Sequence, residues 1–356
     1  MSESTYDAIV VGGRVAGALT AAELAAQGRS VLVLESRTFP SATLSTHFFR
    51  GDGLLRCLAK HDLLEPVLRT GAPPLTCEYF FAGGSAEGSC APPQEPGEVG
   101  FSLSVRREQL DAIVAEHVAG LPGVDLRFGV RVEDLVTEDG IVMGVRMDDG
   151  QEHRAGVTVG ADGRRSVVAR RAGAGDEQRH AGERLMYYRY VAGWGAQPDG
   201  VGAEFSLSGN EMVYVFPSDS GLACIALTVA ATEQQTSSPD TEAYFAARLQ
   251  AHDGLWPRYA AAQPQSALFC GLPEDSVLRK AAGPGWALVG DAGTHQDPWS
   301  GLGMDTAARQ AEALGAVLTE DPTSWNEAYA ASRDRVTLDG FAMTVGIAPD
   351  LSVMLG

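Results

Sequence analysis

Gly12, Gly13 and Gly17 stand together inside the stretch Tyr6 to Glu35, YDAIVVGGRVAGALTAAELAAQGRSVLVLE. Such a cluster lets the backbone approach a pyrophosphate closely, and a helix starting within it offers free N–H groups and a positive dipole end to that anion. Glu35 closes the stretch, where a carboxylate would accept hydrogen bonds from a ribose. Far along the chain, Asp162–Gly163 ends another strand-like run and Asp291 follows Gly290. His47, Arg50 and His295 are side chains able to move a proton or steady a developing negative charge.

The elements that must position these groups are legible. Ala8 to Val11 is a short apolar run of the kind a buried parallel strand shows. Ala16 to Gln27 is rich in Ala and Leu, strong helix formers, and Gly28 falls where a helix is closed. Ser30 to Leu34 is a second strand. Together they make a strand–turn–helix–strand unit, the setting in which a glycine motif means dinucleotide binding. Read as G-x-G-x-x-G, the motif is Gly12, Gly13, Arg14, Val15, Ala16, Gly17. Arg14 takes the middle glycine's place, so its side chain must turn away or grip phosphate itself.

The 356 residues hold two or three domains' worth of material, with 45% hydrophobic and 21% charged residues. A net charge of −19 argues against nucleic acid or an anionic membrane surface as partner. The five cysteines, Cys57, Cys77, Cys90, Cys224 and Cys270, are widely spaced without a C-x-x-C. That pattern argues for reduced thiols in a cytoplasmic protein and against a zinc site. No signal peptide is visible, and no apolar run approaches the roughly 20 residues of a membrane span.

Past Glu35, Pro40 and a Ser/Thr-rich run read as a loop, and Gly53 to Leu68 as a helix broken near His61–Asp62. Residues 104–119 resume helical periodicity. VDLRF, VEDLVTE, IVMGVRM and VTVGAD across 124–161 read as a meander with Asp-Gly turns. From 181 to 275 strand-like pieces recur at short intervals, followed by helices near Thr241–Gln250 and Leu255–Ala262. Trp286–Val289 is another buried strand, and helices follow at Thr306–Leu318 and Trp325–Thr337.

Three separated pieces, 6–35, 160–166 and 290–304, occur in the order found in FAD-dependent monooxygenases with the p-hydroxybenzoate hydroxylase fold, which the chain resembles over nearly its whole length. That superfamily also holds geranylgeranyl reductases and flavin-dependent halogenases. The resemblance implies an α/β fold: a Rossmann-like FAD-binding domain with a parallel sheet and β-meander, and a substrate domain with an antiparallel sheet and helices. It places the first domain at 1–70, 101–180 and 276–340, the second at 71–100 and 181–275, and a tail at 341–356. It implies that Gly12, Gly13, Ala16 and Gly17, with Arg14, cradle the FAD pyrophosphate and that Glu35 holds the ribose. Arg107 would contact the cofactor, and Val130 or Val132 the adenine. Asp162–Gly163 would lie near FAD, Gly290–Asp291 at the ribityl chain, and Pro298, Gly301, Gly303 and Met304 beside the flavin ring.

His47 and Arg50 would lie in a loop passing the flavin, and His295 in another; these are the candidate catalytic groups. Trp-x-Trp-x-Ile-Pro of the halogenases is missing, and Ser45–Thr46–His47 stands where the reductases carry Cys-Gly. The reading that follows is a monooxygenase that uses NADH or NADPH and O₂ to oxygenate an organic small molecule, the alternative being a flavin-dependent alkene reductase. Dense aromatic residues at 187, 188, 190, 194, 205, 214 and 216 favour a large, mostly apolar substrate. Oligomeric state is not legible.

Overall fold

The computed structural model describes residues 5–45, 48–50, 52–82, 85–89, 99–195, 201–233, 240–252, 254–318 and 324–355. The expected N-terminal unit forms as strand Thr5–Val11, helix α1 over Val15–Ala25 and strand Val31–Glu35. Thr5–Val11 pairs in parallel with Val31–Glu35 and with Glu152–Gly160. Glu152–Gly160 pairs in parallel with Trp286–Leu288. Both faces of such strands are covered, so they read as continuous apolar runs, and Val31–Glu35 is buried at every position. Just past α1, Gly28 takes φ +76°, a conformation that would strain a side-chain-bearing residue.

Helices α2 (Leu54–Lys60) and α3 (Leu64–Leu68) are the expected broken helix, parted at Asp62 with φ +57°. Helix α4 covers Arg107–Ala119. It returns the chain to Val124–Phe128, which pairs in parallel with Val31–Glu35. The expected four-strand meander is corrected here. A strand–helix–strand crossover places VDLRF at the edge of the parallel sheet, and only Val132–Glu138, Ile141–Met147 and Glu152–Gly160 pair as a meander. Ile9, Val11, Leu32 and Leu34 bury one sheet face under Val132, Leu135 and Val145 of that meander. Val10 and Val33 bury the other face among Leu19, Val114 and Leu314 of the helices.

After α5 (Val167–Arg171), a second sheet forms from Arg184–Ala192, Leu222–Ala230, Glu211–Pro217 and Gly202–Ser208, paired antiparallel in that order. Cys77–Ala82 joins its edge in parallel with Gly202–Ser208. Strand alternation divides the aromatic residues between two faces. Tyr188, Tyr190, Phe205, Tyr214 and Phe216 face the nucleotide-binding body with Phe48 and Trp299. Tyr187 and Trp194 lie on the outer face, under Phe245 and Leu255 of α6 (Thr241–Gln250) and α7 (Leu255–Ala261). The aromatic positions therefore do not all line one pocket.

Helix α8 spans Gly303–Val317 and α9 spans Trp325–Ile347. The sequence pattern ends α9 near Thr337; the helix runs on to Ile347. Buried Thr337, Phe341 and Thr344 hold its second half, and Trp299 Nε1 donates to the Thr344 carbonyl at 3.0 Å. Asp176–His180, Ser276–Arg279 and Thr294–His295 form a small sheet. Cys57, Cys224 and Cys270 are free thiols, but Cys77 is disulfide-bonded, which corrects the expectation of reduced cysteines throughout. Disulfide pairing follows approach in space, which sequence spacing does not report. Cys90 lies outside the described residues. Among the described residues, no helix is long and apolar enough to cross a membrane.

Candidate functional site

Val11 lies in register between Leu34 and Gly160, and Leu288 lies beside Gly160. The loops leaving these strands share the carboxyl edge of the parallel sheet, where ligands of open α/β sheets bind. Helices α1 and α8 run the same way behind that edge. A Cβ on Gly290 would lie 2.9 Å from the Ala16 Cβ and 3.4 Å from the Ala307 Cβ. At their far ends, Gln27 Nε2 donates to the Gly315 carbonyl at 2.8 Å. Neither helix start has a side-chain cap. Two positive dipole ends thus face one edge, an arrangement suited to anionic groups.

The glycine turn is dictated by close approach. A Cβ on Gly12 would lie 2.4 Å from the Ala161 carbonyl oxygen, and one on Gly17 only 1.8 Å from the Gly12 carbonyl oxygen. Gly13 donates its N–H to Glu35 Oε2 at 2.7 Å, and Arg37 donates its N–H to Glu35 Oε1 at 2.8 Å. Glu35 thereby fixes the turn as well as closing the strand. Glu35→Ala is expected to weaken FAD binding by about 1.5–3 kcal/mol, the worth of a hydrogen bond to a charged group. Titration of the apoprotein with FAD, followed by flavin fluorescence, checks this, and unchanged affinity in a folded variant removes the assignment.

Arg14 starts α1, and its guanidinium pairs with Asp111 and donates to Ser41 Oγ at 2.8 Å. It also lies 5.3 Å from the Phe39 ring centroid. Arg107 donates to the other Asp111 oxygen at 2.9 Å. Asp111, fully buried, therefore joins two arginines at the sheet edge. The sequence pattern does not single it out, although its place one helical turn after Arg107 is a pairing signal. Val130 donates its N–H to the Glu35 carbonyl at 3.0 Å, and Val132 opens the meander with its side chain buried.

Asp162 caps the start of α5, accepting from Ser166 Oγ at 2.5 Å and from the Val167 N–H at 2.6 Å. Burial pushes its carboxyl up, against those hydrogen bonds. Gly163 has φ +77° and open space on its Cβ side; a Cβ on Gly303, at the start of α8, would also meet open space. Gly290 donates its N–H to Gln310 Oε1 at 2.8 Å, and Gln310 Nε2 donates to Thr337 Oγ1 at 3.0 Å. This buried amide locks the turn before Asp291 and is a second group the sequence pattern does not single out. Asp297 accepts the Trp299 N–H at 3.2 Å, with Pro298 at the first position of the short turn and Gly301 closing it at φ +70°. Met304 is buried in α8. Burial pushes Asp297 and Asp305, on either side of this loop, up to about 6.

His295 Nδ1 lies 3.3 Å from Asp291 Oδ2. Partial burial works against charge on both groups. Their mutual attraction outweighs it, lowering Asp291 with help from Arg107 and Arg164 and raising His295 above the ordinary imidazole value. The stabilisation from His295 is complete below the ordinary imidazole range and is lost as pH rises through its raised value. That from Asp291 is present above the ordinary carboxylate range and is lost as pH falls through its lowered value. His295→Ala is therefore expected to lower the melting temperature most at about pH 4–6.5, and the difference from wild type should shrink above that window. A difference independent of pH removes the ion pair.

Gln296 Nε2 and Ser300 Oγ are buried without a hydrogen-bond partner among the described residues. Both lie in the loop that leads into α8. Orphaned polar atoms of this kind, two uncapped helix starts and a glycine turn shaped by close approach fit a bound dinucleotide with a polar ring system.

Beside the same loop lies a cavity of about 450 Å³, between the inner face of the second sheet and helices α8 and α9. Phe80, Phe205, Tyr214, Trp299 and Met343 give it an apolar body, with Arg50 among its polar groups. Arg50 stacks over Phe48 at 5.0 Å and lies 3.4 Å from Glu78. The Tyr214 hydroxyl donates to the Trp299 carbonyl at 2.8 Å, tying the sheet to the 298–301 turn. Arg50 thus meets this cavity, whereas His295 is paired with Asp291 and is not among its walls. His47 lies outside the described residues.

The fold and this edge define a flavin-dependent oxidoreductase core. The chain belongs to the FAD binding domain family, whose model matches residues 5–336. It is 29% identical over 324 residues to digeranylgeranylglycerophospholipid reductase of Methanosarcina mazei, covering 88% of this chain and 75% of the relative. It is 34% identical over 173 residues to rifampicin monooxygenase of Streptomyces venezuelae, covering 47% of this chain and 34% of that one. Among solved structures it matches PqsL of Pseudomonas aeruginosa in complex with 2-aminobenzoylacetate. The TM-score there is 0.83 at 23% identity, over 97% of this chain and 96% of the other.

Proposed function

We propose that the chain is a monooxygenase that takes electrons from NADH or NADPH and oxygen from O₂ to hydroxylate or epoxidise a largely apolar small molecule. The observation that carries the reading is the aromatic-walled cavity set against the 298–304 loop. FAD supplies the redox chemistry when bound. The chain's own residues bind and orient: Gly12, Gly13, Ala16 and Gly17 with Arg14 at the pyrophosphate, Glu35 at the ribose, Val132 near the adenine. Arg107, Asp162, Gly163, Gly290 and Asp291 hold the middle of the cofactor. Pro298, Gly301, Gly303 and Met304 offer the start of α8 to charge on its ring.

Arg50 steadies negative charge on the substrate side, and His47 and His295 are the groups able to move a proton. Apolar walls exclude water from the reacting centre. A cytoplasmic location belongs to the same proposal; the disulfide at Cys77 counts against it.

Alkene reduction is the second reading, favoured by the greater share of this chain that the phospholipid reductase covers. Incubation with NAD(P)H and a panel of apolar aromatic and polyene compounds under isotopically labelled O₂ separates the two. Label in the product supports monooxygenation. Anaerobic saturation of a double bond, with no label in any product under labelled O₂, overturns it in favour of the reductase.

A further inference from the structure

Away from the nucleotide edge, Glu23 in α1, Cys57 in α2 and His61 at the end of α2 bring an oxygen, a sulfur and a nitrogen donor within 4.8 Å of one another. We propose that these three residues form a binding site for a zinc-class divalent metal ion, with one coordination position left open. The donor set is chemically selective. Thiolate, imidazole and carboxylate together suit zinc and its neighbours and disfavour magnesium and calcium, which take oxygen ligands.

The donors sit on packed elements. Cys57 and His61 are four residues apart on one helix face. Glu23 is wedged against α8, where a Cβ on Gly315 would lie 3.0 Å from its own Cβ. Cys57 is wholly buried and Glu23 is 4% exposed. His61 Nε2 lies 2.7 Å from Glu23 Oε1, a contact bridged by a ring proton; for Nε2 to bind an entering ion, that proton passes through solvent to Nδ1 and the imidazole stays neutral.

A cation already occupies the neighbourhood. The Lys60 ammonium lies 2.7 and 2.8 Å from the two Glu23 oxygens, on a side chain 48% exposed that can withdraw to solvent. The exchange balances. Lys60 leaves with one positive charge, the divalent ion enters, and Cys57 gives its proton to solvent as its sulfur bonds the metal. Glu23 with Lys60 is neutral before; Glu23, the Cys57 thiolate and the ion are neutral after. No uncompensated charge is buried in either state. A thiol must give up its proton to bond a metal, so binding at Cys57 releases one proton. Nothing in the spacing of the sequence announces the site, because Glu23 comes from a different helix.

The test is zinc competition against a chromogenic chelator on flavin-loaded protein at fixed pH, in a Cys270→Ser background to silence the exposed thiol. One equivalent is expected to bind. Cys57→Ser and His61→Ala should each weaken binding by roughly 100-fold or more, beyond the 10–100-fold that losing a mere supporting contact costs. Lys60→Met should tighten binding, since it removes the competitor, and it leaves the buried donors in place should either ligand variant fold poorly. With cadmium, a sulfur-to-metal ultraviolet band should appear in wild type and vanish in Cys57→Ser. Absence of stoichiometric zinc binding, equal affinity in the ligand variants, or no gain in Lys60→Met overturns the site and leaves Glu23, Lys60 and His61 as a structural ion-pair cluster. Flavin content is read independently of all these outcomes.

Discussion

A Gly17→Ala protein is expected to come out of purification without flavin. A Cβ at this position would sit 1.8 Å from the Gly12 carbonyl oxygen and 2.9 Å from the Gly12 carbonyl carbon. Both atoms are backbone, and Gly12 is itself pinned, at φ +102° with its own Cβ direction 2.4 Å from the Ala161 carbonyl oxygen. The added methyl cannot be relieved by a rotamer change. The start of α1 must lift from the end of the first strand, and the turn that shapes the pyrophosphate site opens. Overpacking alone costs about 1–3 kcal/mol, and a displaced backbone adds the loss of the anion contacts. Gly28→Ala is the control. It shares a positive φ but has nothing within 4 Å, so it should lose only about 1–2 kcal/mol of conformational energy and keep its flavin. The flavin-to-protein absorbance ratio and melting temperature of the two variants decide the matter. Normal flavin content in Gly17→Ala would mean that the turn is not the cofactor cradle.

The second large effect is expected from Asp111→Ala. Asp111 is fully buried and answers two guanidinium groups, Arg14 and Arg107, whose side chains are 23% and 13% exposed. Removing it leaves two partly buried positive charges without their carboxylate. Breaking buried pairs one-sidedly costs about 3–5 kcal/mol, and the residual solvent around both arginines puts this case near the lower figure. Asp111→Asn keeps an acceptor and should lose less. Chemical denaturation with and without FAD distinguishes two roles. A loss confined to the FAD-bound form places Asp111 in service of the cofactor, and an equal loss in both forms makes it a tie between α1 and α4. No loss in either form removes the bridge.

Much of this was legible because it rests on local chemistry. The first strand, α1 and the second strand follow from an apolar run, an Ala/Leu-rich segment and a closing glycine. The start of α6 is fixed locally by Asp240, whose side chain accepts the Ala243 N–H at 2.9 Å. What was hidden depends on partners distant in sequence. VDLRF looks like any short strand, and only the α4 crossover assigns it to the parallel sheet. Asp176–His180 is exposed at every position and shows no alternation to betray a strand. The second half of α9 is held by Trp299 and by its buried face.

The site divides in the same way. Glycines and Glu35 declare themselves through spacing. Asp111 and Gln310 act by joining segments, and a bridging residue looks ordinary until both sides of the bridge are seen. The aromatic positions of the second sheet were visible as a group, yet their division between faces required the register of Arg184–Ala192 against its neighbours.

The pairing of α1 with α8 also sets a timetable. Gly17 and the turn it closes leave the ribosome early, but the helix start that completes the edge arrives about 290 residues later, roughly 15–60 s at ordinary elongation rates of about 5–20 residues per second. Through that interval the flank of α1 that α8 will cover, and the edge of Glu152–Gly160 awaiting Trp286–Leu288, are open to misassociation. Flavin loading thus waits until the start of α8 has emerged, and chaperone protection would be needed most before residue 317 has done so.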